Sequence, residues 1–490
     1  MRTYEVRGAH HIPKEVRPQA GAEGLSRVLD HQRNMVAVSN DAPRMTQSDM
    51  FSWHMEQNPI LRSTVVVVVL LDASPDWDRF LATVERAAQV LPAMRRKLVP
   101  DRGLAPARWV DDADFDLNWH VRRLDAPHPK NLDGVLEVAR TAAMTAFDPA
   151  RPMWEYTLLD GLEEDAAAAV VMKFHHSLTD GVGGVRIAAE IMDFERGGTE
   201  REPIASSDQV APAPTLRDTV GWYASSGVTV VRQSVSSAAR LGARMVVRPL
   251  RALRDVAGTA VSVARIVEPV TSTASPVMTE RSTRRHLATL DVPVDALAAA
   301  GEAGGGTLND AFLAGIVLGM RDYHRRHDAQ IDHLRVTMPM NLRHEDDPLG
   351  GNRITLVRIR IPCDLDEPKK LIDRIHDIVM KWRLEPAVPL ADPIAGALNV
   401  LPAAAVGAML EHVDFLASDV PGSPVPLYLA GAKITRQYAF GPTIGAAFNV
   451  TLLSYVGDCC MGIDVDDAAV PDLDVLVESL AAGFREVCET

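Results

Sequence analysis

Cysteine is scarce in this sequence and is not arranged as a redox or metal motif. The 490 residues include only four cysteines, none of them in a C-x-x-C pair: Cys363, Cys459, Cys460 and Cys488. Zinc sites place cysteine or histidine ligands at characteristic short spacings, which are missing here. Because Cys459 and Cys460 are adjacent in a strand-like stretch, we expect them to face opposite sides of a sheet. The sequence therefore predicts reduced core cysteines and no bound metal.

Long apolar runs are missing as well. The longest, Val65–Leu71, is far too short to span a bilayer. Residues 393–410 are uncharged, but two prolines, two glycines and an asparagine among them favour a buried or interfacial helix. The first residues carry charges throughout and have no apolar core segment, unlike a secretory signal peptide. We therefore expect a cytoplasmic protein that is soluble or peripherally attached to a membrane.

The charge balance is acidic, with one basic exception. A formal net charge of -14 argues against a general nucleic-acid-binding protein. Residues 215–265, the basic segment, nevertheless contain eight arginines and only two acidic residues. With apolar residues at mostly helical spacing, this segment fits an amphipathic surface that meets anionic lipid headgroups. An exposed helical connector whose arginines face water fits equally well, and the sequence leaves both interpretations open.

Apolar and charged residues occur in ordinary globular proportions, 47% and 24%. The chain is longer than one hydrophobic core usually serves, which predicts two lobes. Buried-strand patterns at 63–72 and 166–174 flank a helical pattern at 76–90, and similar alternation resumes near residue 284. We predict a mixed α/β (α+β) fold with an N-terminal extension (1–44), a first lobe (45–205), a helical basic linker (206–283) and a second lobe (284–490).

The stretch M-K-F-H-H-S-L-T-D-G-V-G-G, residues 172–184, ends an apolar strand with two histidines just before a helical pattern. Such junctions are where α/β folds usually place chemistry. A metal site is disfavoured, because adjacent histidines on a strand point apart and no cysteine or glutamate near them in sequence completes a ligand set. A serine nucleophile lacks its usual marker, since no G-x-S-x-G motif occurs. General-base catalysis by one histidine remains, with core packing as the alternative.

Asp180 and Gly181, which follow the pair, are compatible with a histidine base at this position. Asp180 is suited to hold the turn through an ion pair or backbone amides, and Gly181 lets the chain turn tightly beside the ring. A second H-x-x-x-D, from His324 to Asp328, lies at a charged helix end with no glycine after it. We expect this second motif to be a solvated surface. The spacing of histidine and aspartate alone is therefore weak evidence for a site.

The doubled histidine carries a family resemblance. H-H-S-L-T-D-G resembles the H-H-x-x-x-D-G signature of bacterial wax ester synthase/diacylglycerol acyltransferases. That family belongs to the CoA-dependent acyltransferases, with chloramphenicol acetyltransferase and peptide-synthetase condensation domains. Further segments resemble the family in the expected order: 48–59, 107–123, 151–162, 307–315, 338–343, 349–352, 418–432 and 449–466. The resemblance covers about residues 45–490.

The resemblance implies two chloramphenicol-acetyltransferase-like lobes with a tunnel between them, in which acyl-CoA and an alcohol acceptor meet. It implies that His176 is the general base, which takes the acceptor's proton as the hydroxyl attacks the thioester without a covalent acyl-enzyme. His175 would support it, and Asp180 and Gly181 would shape the motif. Acyl-CoA would be a co-substrate, with no permanently bound cofactor.

The resemblance also implies an acceptor class. Diacylglycerol would give triacylglycerol and a long-chain alcohol would give a wax ester, in the cytoplasm at the inner membrane face or a lipid droplet. An acyltransferase for a specialised-metabolite hydroxyl or amine, and a non-catalytic acyl-CoA- or lipid-binding relative, are alternatives. No nucleic-acid partner is expected.

Three features outside the histidine motif qualify this interpretation. Asn309 and Asp310 resemble the family's second motif, reaching the tunnel from the other lobe, although such a pair can also be only a helix N-cap. Trp154, in the P-L-W-E-like segment, fits a core aromatic. The family's S-N-V-P-G reads S-D-V-P-G here, so Asp419 replaces an amide. A negative charge there would hinder a side chain that holds an oxyanion or substrate carbonyl.

Overall fold

The structure is a computed structural model, and it describes residues 4–5, 44–101, 105–178, 187–199, 272–341, 354–385 and 391–490. Several predicted features lie outside these residues: Asp180, Gly181, most of the N-terminal extension and the whole basic segment.

The valine-rich stretch predicted as a buried strand lies inside the N-terminal sheet. In spatial order the strands of this sheet are Tyr428–Leu429 (β12), Ala432–Phe440 (β13), Thr64–Leu71 (β2), Ala168–His175 (β7), Trp154–Asp160 (β6) and Val121–Asp125 (β5). β-Branched side chains favour extended backbone, and β2 pairs antiparallel with β7 so that Val68 faces Val171. Both predicted strands are confirmed.

Helices and a small hairpin complete the N-terminal lobe. They are Gln47–Met55 (α1), Trp77–Val90 (α2), Leu117–His120 (α3) and Leu132–Met144 (α4), with Arg96–Val99 (β3) paired to Arg108–Asp111 (β4). The helix predicted at 76–90 is confirmed as α2. Asp76 caps it by accepting from the Arg79 amide, and Phe80 and Val84 are among the residues it buries.

A second sheet forms the C-terminal lobe. Its strands, in spatial order, are Tyr4–Glu5 (β1), Arg285–Pro293 (β8), Asp458–Asp466 (β15), Phe448–Tyr455 (β14), Phe415–Val420 (β11), His333–Asn341 (β9) and Ile354–Pro362 (β10). The helices of this half are Val294–Ala303 (α5), Leu308–Arg326 (α6), Pro368–Arg383 (α7), Ala391–Leu398 (α8), Ala403–Leu410 (α9) and Leu473–Cys488 (α10). α6 is buried without a break from Asp310 to Met320, as expected of a helix that is apolar all round.

Strand β13 connects the two lobes. It comes from the C-terminal half of the chain but pairs with β2, with Tyr438 opposite Val68. The Tyr438 hydroxyl then reaches across to Asp291 Oδ2 on β8, at 3.0 Å. The fold is therefore mixed α/β with two sheet-rich lobes, as predicted, and the sheet of the N-terminal lobe includes two strands from the C-terminal half of the chain, β12 and β13. The proposed residue boundaries of the lobes stay a prediction.

Strand β15 lies between two hydrophobic cores. Cys459 packs into the core of the C-terminal lobe and Cys460 into that of the N-terminal lobe, which confirms that they face opposite sides of a sheet. Neither forms a disulfide, and burial raises the pKa of the Cys459 thiol to about 12.

Two further stretches can be compared with their predictions. Residues 393–410 form not one helix but the end of α8, a turn and α9, because Pro402 begins a new helix. Within the described ranges, no helix is long and apolar enough to cross a membrane.

The prediction of a solvated surface at 324–328 is wrong for His324. This ring is buried, with Nδ1 2.7 Å from Met320 O and Nε2 2.7 Å from Ser275 Oγ.

Candidate active site

The histidine pair lies at the carboxyl end of β7, where the sequence predicted it. His175 is the last residue of the strand and faces Thr64 on β2. The next residue, His176, has left the ladder, and its backbone N–H donates to Ser63 O at 2.8 Å. Both histidines are thus held against the start of β2.

His175 is a buried, supporting ring. Its side chain has no solvent exposure, and Phe147 meets it edge to face with ring centroids 6.0 Å apart. The Ser177 backbone N–H donates to Nδ1 at 3.1 Å, and the Ser177 hydroxyl lies 2.7 Å from the same atom. An Nδ1 that accepts from an amide carries no proton, so the neutral ring is protonated at Nε2.

Glu56 lies on the other side of this ring. Its Oε2 is 3.5 Å from His175 Nε2 and accepts from the Ser63 amide at 3.1 Å. Its Oε1 is 3.7 Å from Nε of Arg62. Glu56, which lies just after α1 within the segment 48–59, was not predicted from the sequence. A single glutamate at a helix end gives no sequence signal for a contact with a strand more than one hundred residues away.

His176 differs from its neighbour in exposure. Its side chain is half-buried, and its Nδ1 atom lies inside the protein. His176 is thus partly accessible, unlike His175. The residues that directly follow Leu178, Asp180 and Gly181 among them, lie outside the described residues.

Lys173 lies two residues before His175 on the same face of β7, and it forms an ion pair with Glu155 of the neighbouring strand β6. Lys173 is buried, with Nζ 4.1 Å from the Phe147 ring centre and 3.5 Å from Glu155 Oε1. Burial lowers the pKa of Lys173, and Glu155 opposes that shift. Among the described residues, no group of three histidine, cysteine or acidic side chains is placed to hold a metal ion.

A small polar cavity opens between the lobes. Arg62 and Thr64 line it from the N-terminal lobe, and Arg285, Thr443 and Asp464 line it from the C-terminal lobe. The side-chain oxygens Thr64 Oγ1, Thr443 Oγ1 and Asp464 Oδ1 are buried without a hydrogen-bond partner among the described residues. Such oxygens favour a hydrated cavity. Thr64, one of the residues that line the cavity, pairs with His175 across the β2–β7 ladder.

Trp154 is a core residue, as the sequence analysis expected. It is fully buried, and its indole N–H donates to Met94 O at 2.7 Å. The ring of His120 stacks on it at 4.4 Å, and His120 Nδ1 lies 2.7 Å from Trp154 O. Burial lowers the pKa of His120. Trp154 begins the strand β6 that pairs with β7, so its packing supports the strand that carries the histidines.

Asn309 and Asp310 lie in the first turn of α6 in the C-terminal lobe. Asp310 completes a capping box with Thr307, whose amide donates to Asp310 Oδ2 at 2.8 Å. His376 Nδ1 lies 2.8 Å from the same oxygen. Among the described residues, the side-chain hydrogen bonds of Asp310 go to Thr307 and His376, and none joins it to the histidine pair. Asn309, beside it, is half-buried.

Asp419 lies near the end of β11, opposite Leu452 of β14. Its side chain is exposed, yet desolvation by the surrounding protein raises the pKa of its carboxyl. Exposure and desolvation together fit a carboxyl in a recess of the surface.

Comparison with known proteins places the chain in a family. The family model described as the wax ester synthase/diacylglycerol acyltransferase catalytic domain matches residues 45–312, and the WS/DGAT C-terminal domain matches residues 350–487. A Mycobacterium tuberculosis protein named "Putative diacylglycerol O-acyltransferase" is 35% identical over 462 residues, covering 92% of this chain and 94% of its own.

Solved structures share the fold. The wax ester synthase/diacylglycerol acyltransferase of Marinobacter aquaeolei covers 91% of this chain and 98% of its own, with 21% identity and a TM-score of 0.58. Trichothecene 15-O-acetyltransferase of Fusarium sporotrichioides has 13% identity, a TM-score of 0.62 and coverages of 91% and 94%. A rhizomide synthetase starter condensation domain in complex with C8-CoA and Leu-SNAC has 13% identity, a TM-score of 0.58 and the same coverages. The chain is thus an O-acyltransferase that belongs to the wax ester synthase/diacylglycerol acyltransferase family.

Proposed function

We propose that the protein transfers a fatty acyl group from acyl-CoA to the hydroxyl of diacylglycerol, of a long-chain alcohol, or of both. His176 is the general base. The observation that carries this assignment is the difference between the two histidines. Both ring nitrogens of His175 face protein groups in a fully buried site, whereas His176 is half-buried.

The proposed reaction uses one base and no covalent enzyme intermediate. Nε2 of His176 accepts the proton of the acceptor hydroxyl while the hydroxyl oxygen forms a bond to the thioester carbonyl carbon. The tetrahedral intermediate then collapses, the carbon–sulfur bond breaks, and the CoA thiolate takes the proton from the imidazolium. Proton transfer of this kind contributes about 100- to 10,000-fold, and alignment of the two substrates supplies much of the rest.

The surrounding residues have supporting parts in this proposal. Asp180 and Gly181 shape the loop after the pair. Asp310 holds the first turn of α6, which places Asn309 at the substrate tunnel from the other lobe. Acyl-CoA is a co-substrate and not a resident cofactor, in keeping with the CoA ligand named for the condensation-domain neighbour.

The test is an acyl-transfer assay on purified protein. Palmitoyl-CoA is offered with diacylglycerol or hexadecanol, and both free CoA and the lipid product are measured. His176→Ala should lower CoA release by about 100-fold or more, whereas His286→Ala, a half-exposed histidine paired with Asp467, should leave it unchanged. Sustained turnover by His176→Ala would overturn the assignment. Binding of acyl-CoA without release on any acceptor would instead indicate a binding protein, and turnover only on other hydroxyls or amines a different acceptor.

We further propose that the protein attaches peripherally to an anionic membrane face or lipid droplet. Two features support this: the arginines of the basic segment, and the exposed Val400 and Leu401 (59% and 41%) at the turn between α8 and α9. Liposome flotation tests it. Neutralising Arg240, Arg244, Arg248 and Arg251 together should reduce binding to anionic vesicles, and unchanged flotation would exclude the basic segment as the anchor.

A further inference from the structure

We propose that Glu56 is a positioning residue for the general base, acting through His175 and Ser63. The inference rests on the proposed function, because it assigns Glu56 a part in the work of His176. Glu56 follows the last residue of α1, and its carboxylate reaches both the carboxyl end of β7 and the start of β2.

The first line of evidence is the protonation of His175. Because Ser177 donates to Nδ1, the ring proton is on Nε2, and this N–H points into a site without solvent. Oε2 of Glu56 lies 3.5 Å away, slightly beyond a good hydrogen bond but close enough for a strong electrostatic contact. A carboxylate there favours the Nε2–H tautomer and fixes the plane of the ring, as a buried aspartate does in a catalytic triad.

The second line of evidence is the backbone of Ser63. Oε2 of Glu56 accepts from the Ser63 N–H at 3.1 Å, and the Ser63 carbonyl accepts from the His176 N–H at 2.8 Å. One carboxylate oxygen thus holds the residue to which His176 is anchored and also faces the ring of His175. A shift of this oxygen would move both supports of the proposed base.

Donor and acceptor chemistry requires a carboxylate rather than an amide. Glu56 faces donors on every side, namely the Ser63 amide, His175 Nε2–H and Arg62 Nε–H. Glutamine has one acceptor and one NH₂ group, so in either orientation its NH₂ faces a donor. Glu56→Gln keeps the size of the side chain and should still disturb the site.

The charge of Glu56 should affect the pH–rate profile, which a purely structural role would leave unchanged. The charged side chains near His175 in the described structure include Glu56, Arg62, Lys173 and Glu155, and Arg285 and Asp464 line the cavity beside Thr64. Removing the negative charge of Glu56 makes these surroundings less negative. Protonation of the base then becomes less favourable, so the acidic limb of the pH–rate profile should move to lower pH.

The experiment compares Glu56→Gln with the unchanged enzyme and with Glu137→Gln, which removes an exposed carboxylate paired with Arg140. Glu56→Gln should lower kcat by about 10- to 100-fold, change KM little, and move the acidic limb to lower pH. Glu137→Gln should change none of these. An unchanged kcat and pH profile in Glu56→Gln would overturn the proposal.

A second measurement does not depend on activity. With isotopically labelled histidine, NMR reports the tautomer of His175, whose signal is assigned by its loss in His175→Gln. The unchanged protein should show the Nε2–H form, and Glu56→Gln should lose or mix it. If the enzyme fails to turn over, this spectrum still decides the role of Glu56: a change supports it, and an identical spectrum contradicts it. Failure of the proposed function appears separately, as absent CoA release by the unchanged protein.

Discussion

Gly422 lies directly against the backbone of Ser454. Its N–H donates to Ser454 Oγ at 3.0 Å, and a Cβ at this position would lie 1.7 Å from Ser454 O. No side chain fits in that space, so the glycine of the S-D-V-P-G segment is required by contact with β14. This contact also fixes where β11 ends and hence where Asp419 is held.

Gly422→Ala is therefore expected to destabilise the C-terminal sheet. Forcing a methyl group into a packed site costs about 1–3 kcal/mol, because β11 or β14 must move. Urea unfolding measures the loss. Gly197→Ala is the matched control, since a Cβ there meets nothing within 4 Å, and it should stay within about 0.5 kcal/mol. Equal stability of the two variants would contradict the contact.

We expect experiments to show that Asp310 is mainly a structural residue and Asn309 a functional one. Asp310→Ala removes half of a capping box and the partner of His376, which should lower the free energy of unfolding by about 1–2 kcal/mol. Once corrected for folded protein, its kcat should fall less than that of Asn309→Ala. Asn309→Ala should lower kcat and leave stability nearly unchanged.

Thr307→Ala is the control for this pair, because it removes the other half of the same box. It should resemble Asp310→Ala in both stability and kcat. A loss of kcat in Asp310→Ala that Thr307→Ala does not share would show that Asp310 acts beyond the cap.

Local sequence patterns predicted the strands and the position of the histidine pair, because β-branched runs and chain order are local properties. They did not predict that β13 joins the N-terminal sheet, since a strand pattern does not specify its partner. His324 was assigned to the surface from its charged neighbours. Helical periodicity, which puts it on the same buried face as Met320, describes it better. Glu56 was missed because its partner His175 is distant in sequence.

The cavity between the lobes gives a pH prediction. Burial raises the pKa of Asp464 to about 6, with Arg285 opposing and Asp466 adding to the shift. The folded-state pKa lies above the unfolded value of 3.8. Ionisation of Asp464 therefore lowers the free energy of unfolding by an amount that grows as the pH rises from about 4 to 6 and is complete above that range. Asp464→Asn should thus stabilise the protein by up to about 3 kcal/mol at pH near 8 and little at pH near 4. Urea unfolding at the two pH values measures it. The exposed Asp114→Asn should show no such dependence, and a larger gain for Asp464→Asn in acid would contradict the argument.

Asp419→Asn tests the departure from the family's S-N-V-P-G pattern. Desolvation raises the pKa of Asp419, so its carboxyl holds a proton to higher pH than usual, and a protonated carboxyl donates a hydrogen bond as asparagine does. If the side chain faces the reacting carbonyl, Asp419→Asn should raise kcat most at alkaline pH, where the natural carboxylate is charged and repels the developing oxyanion. The gain should shrink as the pH falls and the carboxyl becomes neutral. Asp419→Ala, which cannot donate, should not reproduce the gain. The ratio of kcat between Asp419→Asn and the unchanged enzyme, followed across pH, measures this effect, and a constant ratio would place Asp419 away from the reacting carbonyl.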